Sequence, residues 1–490
     1  MKAAIPHKSI AIISLLTLPL MAALPHVALA QPGATVKVPQ IKFTDYRLPN
    51  GLRVILSVDH AAPVVAVSVT YNVGSRNERP GRTGFAHLFE HMMFQGSQNV
   101  GKGEHMLLIQ DNGGTMNGTT NQDRTNYFET VPANQLDLAL FLESDRMRSL
   151  DISQTNLDNQ RAVVQEEKRQ SYDNQPYGHT SEVMQDLAYS SFAYKHTTIG
   201  SMDDLNAATL DDVKQFFKTY YAPNNACIAV VGDFNEAAAK KKIEKYFGAI
   251  LRQPDPPAPD TAESTIDGEK RKVLSDALAR LTQMEIAYKS VSGSDADAPA
   301  LQILGSILSS GRTGRLYNAI VDKRLALNAR AGGMAGRGTG LFTFSASIAA
   351  DGNTDVVQKA WDAEVERIQN DGVSEDEVRR ALTQARASAL VGGGGGGRGG
   401  GGPGGGMQSV LGRANALTQN AIFYNDPGRV NTQLSKIEAV TAADVKRVAN
   451  KYLKKDARVI LITNPEVDLG LEYMSEQGNA NGILSGRVGN

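Results

Sequence analysis

Cysteine is almost absent from this sequence, which has one among 490 residues. A single cysteine cannot form an internal disulfide, so the fold must be stabilised without one. Cys227 lies in ACIAVVG, an apolar run that predicts a buried strand, and we interpret it as a core residue. Neither sign of charge is in excess, because 51 basic residues face 52 acidic ones. This balance offers no electrostatic basis for binding nucleic acid or an anionic membrane surface.

Long apolar runs are also missing, apart from one near the N-terminus. Residues 1–30 read MKAAIPHKSIAIISLLTLPLMAALPHVALA, with a basic start, an apolar centre and a final A-x-A. This pattern is typical of a secretory signal peptide cleaved after Ala30. The run is too short for a membrane anchor, which needs about 20 apolar residues. We therefore expect export across the inner membrane to the periplasm, with no membrane span after cleavage.

The stretch TGFAHLFEHMMFQGS, residues 83–97, combines polar chemistry with an apolar surround. Its apolar residues predict a largely buried helix, on which His87 and His91 share one face. Two such histidines can bind a metal ion, and Glu90 beside them can act as a base on water. The order H-x-x-E-H is the inverted zincin signature. The alternative is a pair of core histidines with a buried, paired glutamate, because short motifs recur by chance.

A third ligand is expected from a second predicted helix, NLDNQRAVVQEEKRQSYDN, residues 156–174. Glu166 and Glu167 follow its apolar Ala-Val-Val step after one intervening glutamine. Two carboxylates on a buried face would need a cation nearby, because an unpaired buried charge is costly. The alternative is that both glutamates lie on the solvated face, as charged runs usually do.

These two segments together resemble the pitrilysin/insulinase family of zinc metallopeptidases, which includes the mitochondrial processing peptidases. Three further segments resemble family sequences: YRLPNGLRVIL, GGTMNGTTNQDRTNYF and YYAPNNACIAVVGDF. The resemblance implies that one Zn²⁺ per chain is held by His87, His91 and Glu166. It also implies that Glu90 is the catalytic base. The expected activity is zinc-dependent endopeptidase cleavage of peptides or unfolded segments inside an enclosed cleft.

The resemblance assigns four more residues to the surroundings of this site. Asn117 and Gly118 match an edge strand that pairs with the substrate backbone by strand addition. Asn159 stands where the family usually has a glutamate that orients the ligands, and an amide adds no negative charge there. Glu167 is expected to be a neighbour of the ligand, pointing about 100° further round the helix.

An internal repeat predicts two homologous domains. TLDDVKQFFKTYYAPNNACIAVVGDF, from Thr209, recurs as TAADVKRVANKYLKKDARVILITNP, from Thr441. A proline-rich linker, residues 252–265, is predicted between a zinc-binding peptidase domain at 31–251 and its homologue at 266–465, with a flexible tail at 466–490. The resulting fold class is α+β, and the family resemblance implies mixed sheets packed with helices, forming half of a clamshell.

Glycine is concentrated in one segment of the second half. Residues 392–406 contain thirteen glycines in fifteen positions. No packed core can be built from such a run, because fixing glycine costs too much entropy. We interpret it as an exposed flexible insertion, and the alternative is a mobile lip over the cleft. Phosphate binding is disfavoured, since no G-K-[ST] follows.

The second half lacks the H-x-x-E-H motif and one further family feature. Aligning R-L-Y at residues 315–317 puts Val321 and Asn328 where the family has an arginine and a tyrosine that stabilise the oxyanion. Three basic residues lie nearby in a different register: Lys323, Arg324 and Arg330. We therefore predict the zinc-bearing subunit of a two-subunit enzyme, whose homologous partner supplies the missing pair. The alternative is a non-catalytic assembly subunit that resembles the respiratory-chain core proteins.

Overall fold

Two mixed β-sheets with helices packed against them form the structure, a computed structural model that describes residues 40–334, 336–349, 352–391 and 406–466. The predicted signal peptide, all but the last residue of the glycine-rich insertion, and residues 467–490 of the tail lie outside the described residues. Within the described ranges, no helix is long and apolar enough to cross a membrane.

The first sheet has six strands in the order β1-β2-β6-β3-β5-β4. Strands β2 and β6 are parallel, and the other neighbours are antiparallel. This order leaves β4 as an edge strand. The strands are β1 Thr44–Arg47, β2 Arg53–Val58, β3 Val64–Tyr71, β4 Thr115–Thr120, β5 Thr125–Pro132 and β6 Ala226–Gly232.

The second sheet repeats this arrangement with five strands in the order β7-β11-β8-β10-β9. Its parallel pair, β7 and β11, corresponds to β2 and β6, and the antiparallel neighbours then follow in the same sequence. The predicted α+β fold with a duplicated sheet is confirmed. The strands are β7 Gly268–Asp276, β8 Thr282–Lys289, β9 Asn328–Met334, β10 Leu341–Ile348 and β11 Ala457–Pro465.

Helices connect and cover these strands. Those of the first half are α1 Phe85–Met92, α2 Glu104–Asp111, α3 Leu136–Ser149, α4 Gln154–Lys168, α5 Thr180–Ala188, α6 Phe192–Lys195, α7 Met202–Asn206, α8 Leu210–Tyr220 and α9 Glu236–Phe247. Those of the second half are α10 Ala298–Ser309, α11 Thr354–Asp371, α12 Glu375–Val391, α13 Val410–Tyr424, α14 Arg429–Glu438 and α15 Ala442–Tyr452.

The sequence repeat has a local structural cause. Thr209 caps the start of α8, and its side chain and that of Asp212 form a reciprocal capping box. Thr441 and Asp444 form the same box at the start of α15. Such a box satisfies backbone N–H groups that have no partner within the helix. Each of these helices precedes the second strand of the parallel pair in its sheet, which is β6 in the first sheet and β11 in the second.

Each half of the chain contributes a helix to the sheet of the other half. From the second half, α13 packs Ala414, Leu417 and Ala421 against a cluster on the first sheet that includes the buried Cys227. Burial raises the pKa of that thiol to about 12, which fits the predicted core role. From the first half, α5 packs Met184 and Ala188 against apolar residues of the second sheet. The described residues between 40 and 466 consequently form one compact unit, and the domain boundaries around 252–265 stay a prediction.

Candidate metal centre

Helix α1 brings the two histidines of the H-x-x-E-H motif together. It begins after Gly84, which has a left-handed φ of 83° and leaves no room for a side chain beside the Ile199 carbonyl. Its apolar side chains, including Phe89 and Met92, are buried in the core. The rings of His87 and His91 lie 4.8 Å apart between centroids and nearly perpendicular, each mostly buried. Two imidazoles therefore face one point from one helix.

Helix α4 packs against α1 and supplies the carboxylate that faces them. Glu167 Oε2 lies 3.3 Å from His91 Nε2 and 3.6 Å from His87 Nε2. Ser153 caps the start of this helix by accepting a hydrogen bond from the Asn156 backbone N–H. The helix ends at Lys168, immediately beyond Glu167.

The prediction that Glu166 completes this set is wrong. Its side chain points to solvent, where it accepts hydrogen bonds from Arg169 Nη1 and Gln170 Nε2, each at 2.9 Å. The physical reason is the helical period of α4, whose buried positions include Leu157, Gln160 and Val164. Continuing this face by three residues reaches Glu167, whereas Glu166 continues the exposed face.

The predicted orienting residue, Asn159, is also one position away from the residue that the structure places near the site. Asn159 is exposed, whereas its neighbour Gln160 is buried on the face that contains Glu167. The Gln160 side chain also contributes to the raised pKa of His91. Seven residues before Glu167 the chain has Gln160, which is an uncharged amide like Asn159. Counting buried positions along the predicted helix would have found both shifts.

Glu90 lies beside the two histidines and is held by the neighbouring edge strand β4. Thr120 Oγ1 donates a hydrogen bond of 2.6 Å to Glu90 Oε2. A side chain at Gly118 would place its Cβ 3.1 Å from both Cγ and Oε1 of Glu90. Asn117 is exposed, and its Oδ1 accepts a hydrogen bond from the Gly118 backbone N–H at 2.9 Å. The structure thus adds Thr120, which sequence reasoning missed, as the direct partner of Glu90.

The surroundings of these groups set their protonation. Burial lowers the pKa of His87 to about 4, helped by the nearby His91. Burial also lowers the pKa of His91, but the hydrogen bond that it donates to Glu167 and the neighbouring carboxylates outweigh this, so the net shift is upward. The hydrogen bond with His91 lowers the pKa of Glu167. Burial raises the pKa of Glu90 against the hydrogen bond from Thr120. His87 is thus neutral, as a metal ligand must be.

The donor set fits a zinc ion. Ligand atoms of His87, His91 and Glu167 lie within 4.8 Å of one another. Zn–N and Zn–O bonds of about 2.0–2.2 Å in a tetrahedron place neighbouring ligand atoms roughly 3.3–3.5 Å apart, close to the two measured separations. Three protein ligands leave one tetrahedral position free, which is the arrangement of catalytic rather than closed structural zinc sites.

A second buried group of His105, Glu129 and Glu143 does not fit a metal as well. Arg146 donates two hydrogen bonds to Glu143 and so already supplies a cation to this group. Burial raises the pKa of Glu129 well above its usual range and lowers that of His105 well below it. Both are therefore neutral, and the charge of the group is balanced without a metal.

Val321 and Asn328, the predicted replacements for the family's arginine and tyrosine, lie in the second half of the chain. Val321 ends a short π-helical turn, and Asn328 is the first residue of β9. Asn328 and Arg330 line a polar cavity of about 210 Å³ on the second sheet, where Arg330 Nε donates to Ser345 Oγ at 3.0 Å. Lys323 and Arg324 are exposed.

Comparisons with known proteins find similar sequences and a similar fold. Residues 53–201 match the family described as "Insulinase (Peptidase family M16)", and residues 207–385 match "Peptidase M16 inactive domain". "Zinc protease PqqE" of Helicobacter pylori is 30% identical over 429 residues, covering 86% of this chain and 93% of that protein. A probable mitochondrial-processing peptidase subunit beta of Arabidopsis thaliana is 26% identical over 460 residues, covering 91% and 82%. The crystal structure of a Helicobacter pylori protease superposes with a TM-score of 0.80 at 28% identity, covering 87% of this chain and all of that one.

Proposed function

Because this chain belongs to the insulinase family of peptidases, family M16, we propose that it is a zinc-dependent endopeptidase. The observation that carries the proposal is the meeting of His87, His91 and Glu167 at one point beside Glu90. A scaffold protein has no use for such a costly group of partly buried titratable side chains.

In this proposal, His87, His91 and Glu167 hold one Zn²⁺ per chain. Zinc at such a site polarises a carbonyl and makes water acidic near neutral pH. Glu90 takes the proton from the attacking water and returns it to the leaving amine. Thr120 orients the Glu90 carboxylate through the bond to its Oε2. Gln160 helps to orient His91 from the second turn of α4, without adding a negative charge.

Substrate peptides are proposed to bind along β4. The outer backbone groups of an edge strand are free to pair with an extended peptide, and β4 is at the edge of its sheet beside Glu90. Asn117 and Gly118 are the proposed contacts. The hydrogen bond from Gly118 N–H to Asn117 Oδ1 must open if that N–H is to pair with a substrate carbonyl. Strand addition requires an extended chain, so we propose short or unfolded peptides as substrates.

We also propose that the chain is exported to the periplasm and acts together with a homologous partner subunit. The leader pattern of residues 1–30 supports a periplasmic location. Val321 and Asn328 support a homologous partner that supplies the arginine and tyrosine of the family.

The test is to measure bound zinc and peptide hydrolysis in the same preparations of unsubstituted protein and Glu90→Gln. We expect about one zinc per chain in both, because the substitution removes only the base. Hydrolysis should fall by about 10²- to 10⁴-fold, the usual contribution of general acid–base catalysis.

The competing reading is a non-catalytic assembly subunit. It would be favoured if the unsubstituted protein bound no zinc, or if it bound zinc but hydrolysed no peptide with any homologous partner present. Equal hydrolysis by Glu90→Gln would instead remove Glu90 from the mechanism while leaving the zinc site in place.

A further inference from the structure

The first turn of the metal-binding helix α1 is held by a buried carboxylate outside the helix. Glu78 accepts the backbone N–H of Gly84 at 2.9 Å and that of Ala86 at 2.7 Å. Its side chain is completely shielded from solvent. Helix N-termini have unpaired N–H groups and attract negative charge, so a carboxylate here fixes where the helix begins. Ala86 directly precedes His87, so this contact is one residue from a metal ligand.

His196 is the side chain that balances this carboxylate. Its Nε2 lies 2.9 Å from Glu78 Oε2 and 3.1 Å from the Ser75 carbonyl oxygen. Its Nδ1 lies 2.8 Å from the Phe192 carbonyl oxygen. Carbonyl oxygens only accept hydrogen bonds, so both ring nitrogens must carry a hydrogen in this arrangement. The ring is also stacked on Phe192, with centroids 4.6 Å apart, which leaves it little freedom to turn.

The other charged groups around this pair are already engaged. The guanidinium of Arg76 lies against Asp123, at 3.4 Å. On α8, Tyr220 donates its hydroxyl to the Asn77 carbonyl, and burial together with the Glu78 charge raises its pKa. At the end of α6, Lys195 pairs with Asp186 at 3.2 Å. On the α1 side, Asp204 accepts from Thr83. Among these charged groups, His196 is therefore the one that donates a hydrogen bond to Glu78.

We propose that His196 is a positioning residue of the metal centre. Its proton keeps Glu78 as an acceptor for the first turn of α1, and that turn sets the direction of His87 and His91 toward Glu167. The inference rests on the proposed zinc peptidase function and adds to it a residue remote from the metal. Under this proposal, zinc affinity depends on the protonation of His196, which is not a metal ligand.

This proton gives the proposal a definite pH dependence. Burial by itself lowers the pKa of His196, but the hydrogen bond and charge of Glu78 outweigh it, so its pKa lies above the usual value of about 6.5. Burial of Glu78 favours its neutral form, and the three N–H donors around it favour the carboxylate, which is the form we infer. A histidine whose pKa is raised by folding stabilises the folded state. This contribution is complete below about pH 6.5 and is lost as pH rises through the folded-state pKa.

The experiment measures zinc affinity by chelator competition across about pH 6 to 9, a range that spans histidine titration. His196→Phe keeps the stacking on Phe192 and removes both donors, so we expect about 10- to 100-fold weaker zinc binding, as for other residues that orient metal ligands. Amide exchange in α1 should become faster. His196→Gln can still donate to Glu78 but cannot titrate, so its zinc affinity should fall less and should not show the decline expected as pH rises through the raised pKa of His196. His60→Phe is the matched control, because His60 forms an exposed pair with Asp233.

Selective ¹⁵N labelling of histidine tests the protonation directly, and both nitrogens of His196 should carry hydrogen at neutral pH. The inference is overturned if His196→Phe and His196→Gln both match the unsubstituted protein in zinc affinity, pH profile and α1 exchange. It is equally overturned if they lower only the melting temperature. An unsubstituted protein that binds no zinc would instead contradict the proposed function. If His196→Phe fails to fold, the pH profile of His196→Gln decides between these outcomes.

Discussion

Glu166 and Glu167 allow a direct test of the metal centre at the scale of single residues. Glu167→Gln should abolish stoichiometric zinc binding, because it removes one of the three proposed protein ligands, the carboxylate that faces His87 and His91. The loss should exceed the about 10- to 100-fold effect of changing a residue that only orients ligands. The measurement is bound zinc per chain after dialysis against a weak chelator.

Glu166→Gln is the matched control for this prediction. It changes the adjacent carboxylate in the same way but affects only exposed hydrogen bonds to Arg169 and Gln170. Zinc content and hydrolysis should therefore stay unchanged. The opposite pattern, with zinc lost on changing Glu166 and kept on changing Glu167, would restore the assignment made from the sequence alone.

Residue-level prediction succeeded where one helical turn determines the geometry. His87 and His91 are four apart on one helix, so their convergence follows from the helical period. The third ligand depends on which face of α4 packs against α1, and two adjacent glutamates differ there by about 100°. Thr120 was not predicted, because its contact with Glu90 joins residues 30 positions apart in sequence.

Among the secondary-structure elements, the edge strand β4 can be tested by adding a side chain at Gly118. Gly118→Ala should lower kcat without changing zinc content, because the new Cβ would lie 3.1 Å from Glu90 and displace the proposed base. The shift needed is a few tenths of an ångström, so the loss should stay below the about 100-fold effect of a 1 Å misplacement. Steady-state kinetics on an unstructured peptide measures it.

Gly332→Ala is the control in the corresponding edge strand of the second sheet. Gly332 lies in β9, and a Cβ there would meet nothing within 4 Å. It tests whether adding a methyl group to any edge-strand glycine is harmful. Equal kcat for Gly118→Ala and the unsubstituted protein would mean that Glu90 tolerates the contact, and that the absence of a side chain at 118 serves substrate binding alone.

Element-level prediction was limited by packing between distant parts of the chain. The repeated capping boxes at Thr209 and Thr441 can be recognised from the sequence, because they depend on local hydrogen bonding between a threonine and an aspartate three residues later. The exchange of α5 and α13 between the two sheets was not predicted. Amphipathic patterns show which face of a helix is apolar, but not which of two similar sheets it covers.

At the scale of the whole molecule, the duplication was predictable because the sequence repeat preserves both the capping signals and the strand patterns. The two sheets accordingly share their strand order and their single parallel pair. The candidate site was not duplicated along with the fold. The first half carries His87, Glu90 and His91, whereas the second half has no H-x-x-E-H motif. One chain therefore offers one candidate active site on one of two similar scaffolds.

The whole molecule is predicted to need a partner subunit for full activity. With Val321 and Asn328 in place of the family's arginine and tyrosine, the purified chain should hydrolyse an unstructured peptide only slowly, since losing one oxyanion donor typically costs about 10²- to 10³-fold in kcat. A homologue that carries the pair should restore the rate on co-expression, and the same homologue with valine and asparagine at those positions should not. A second copy of this chain should not help, because it has the same gap.

The double substitution Val321→Arg with Asn328→Tyr installs the pair in this chain and tests the alignment in the reverse direction. The measurement is the rate of peptide hydrolysis when the substituted chain is paired with another copy. Full turnover by the isolated, monomeric chain would contradict the need for a partner and assign oxyanion stabilisation to residues already in this chain, with Arg330 the first to substitute.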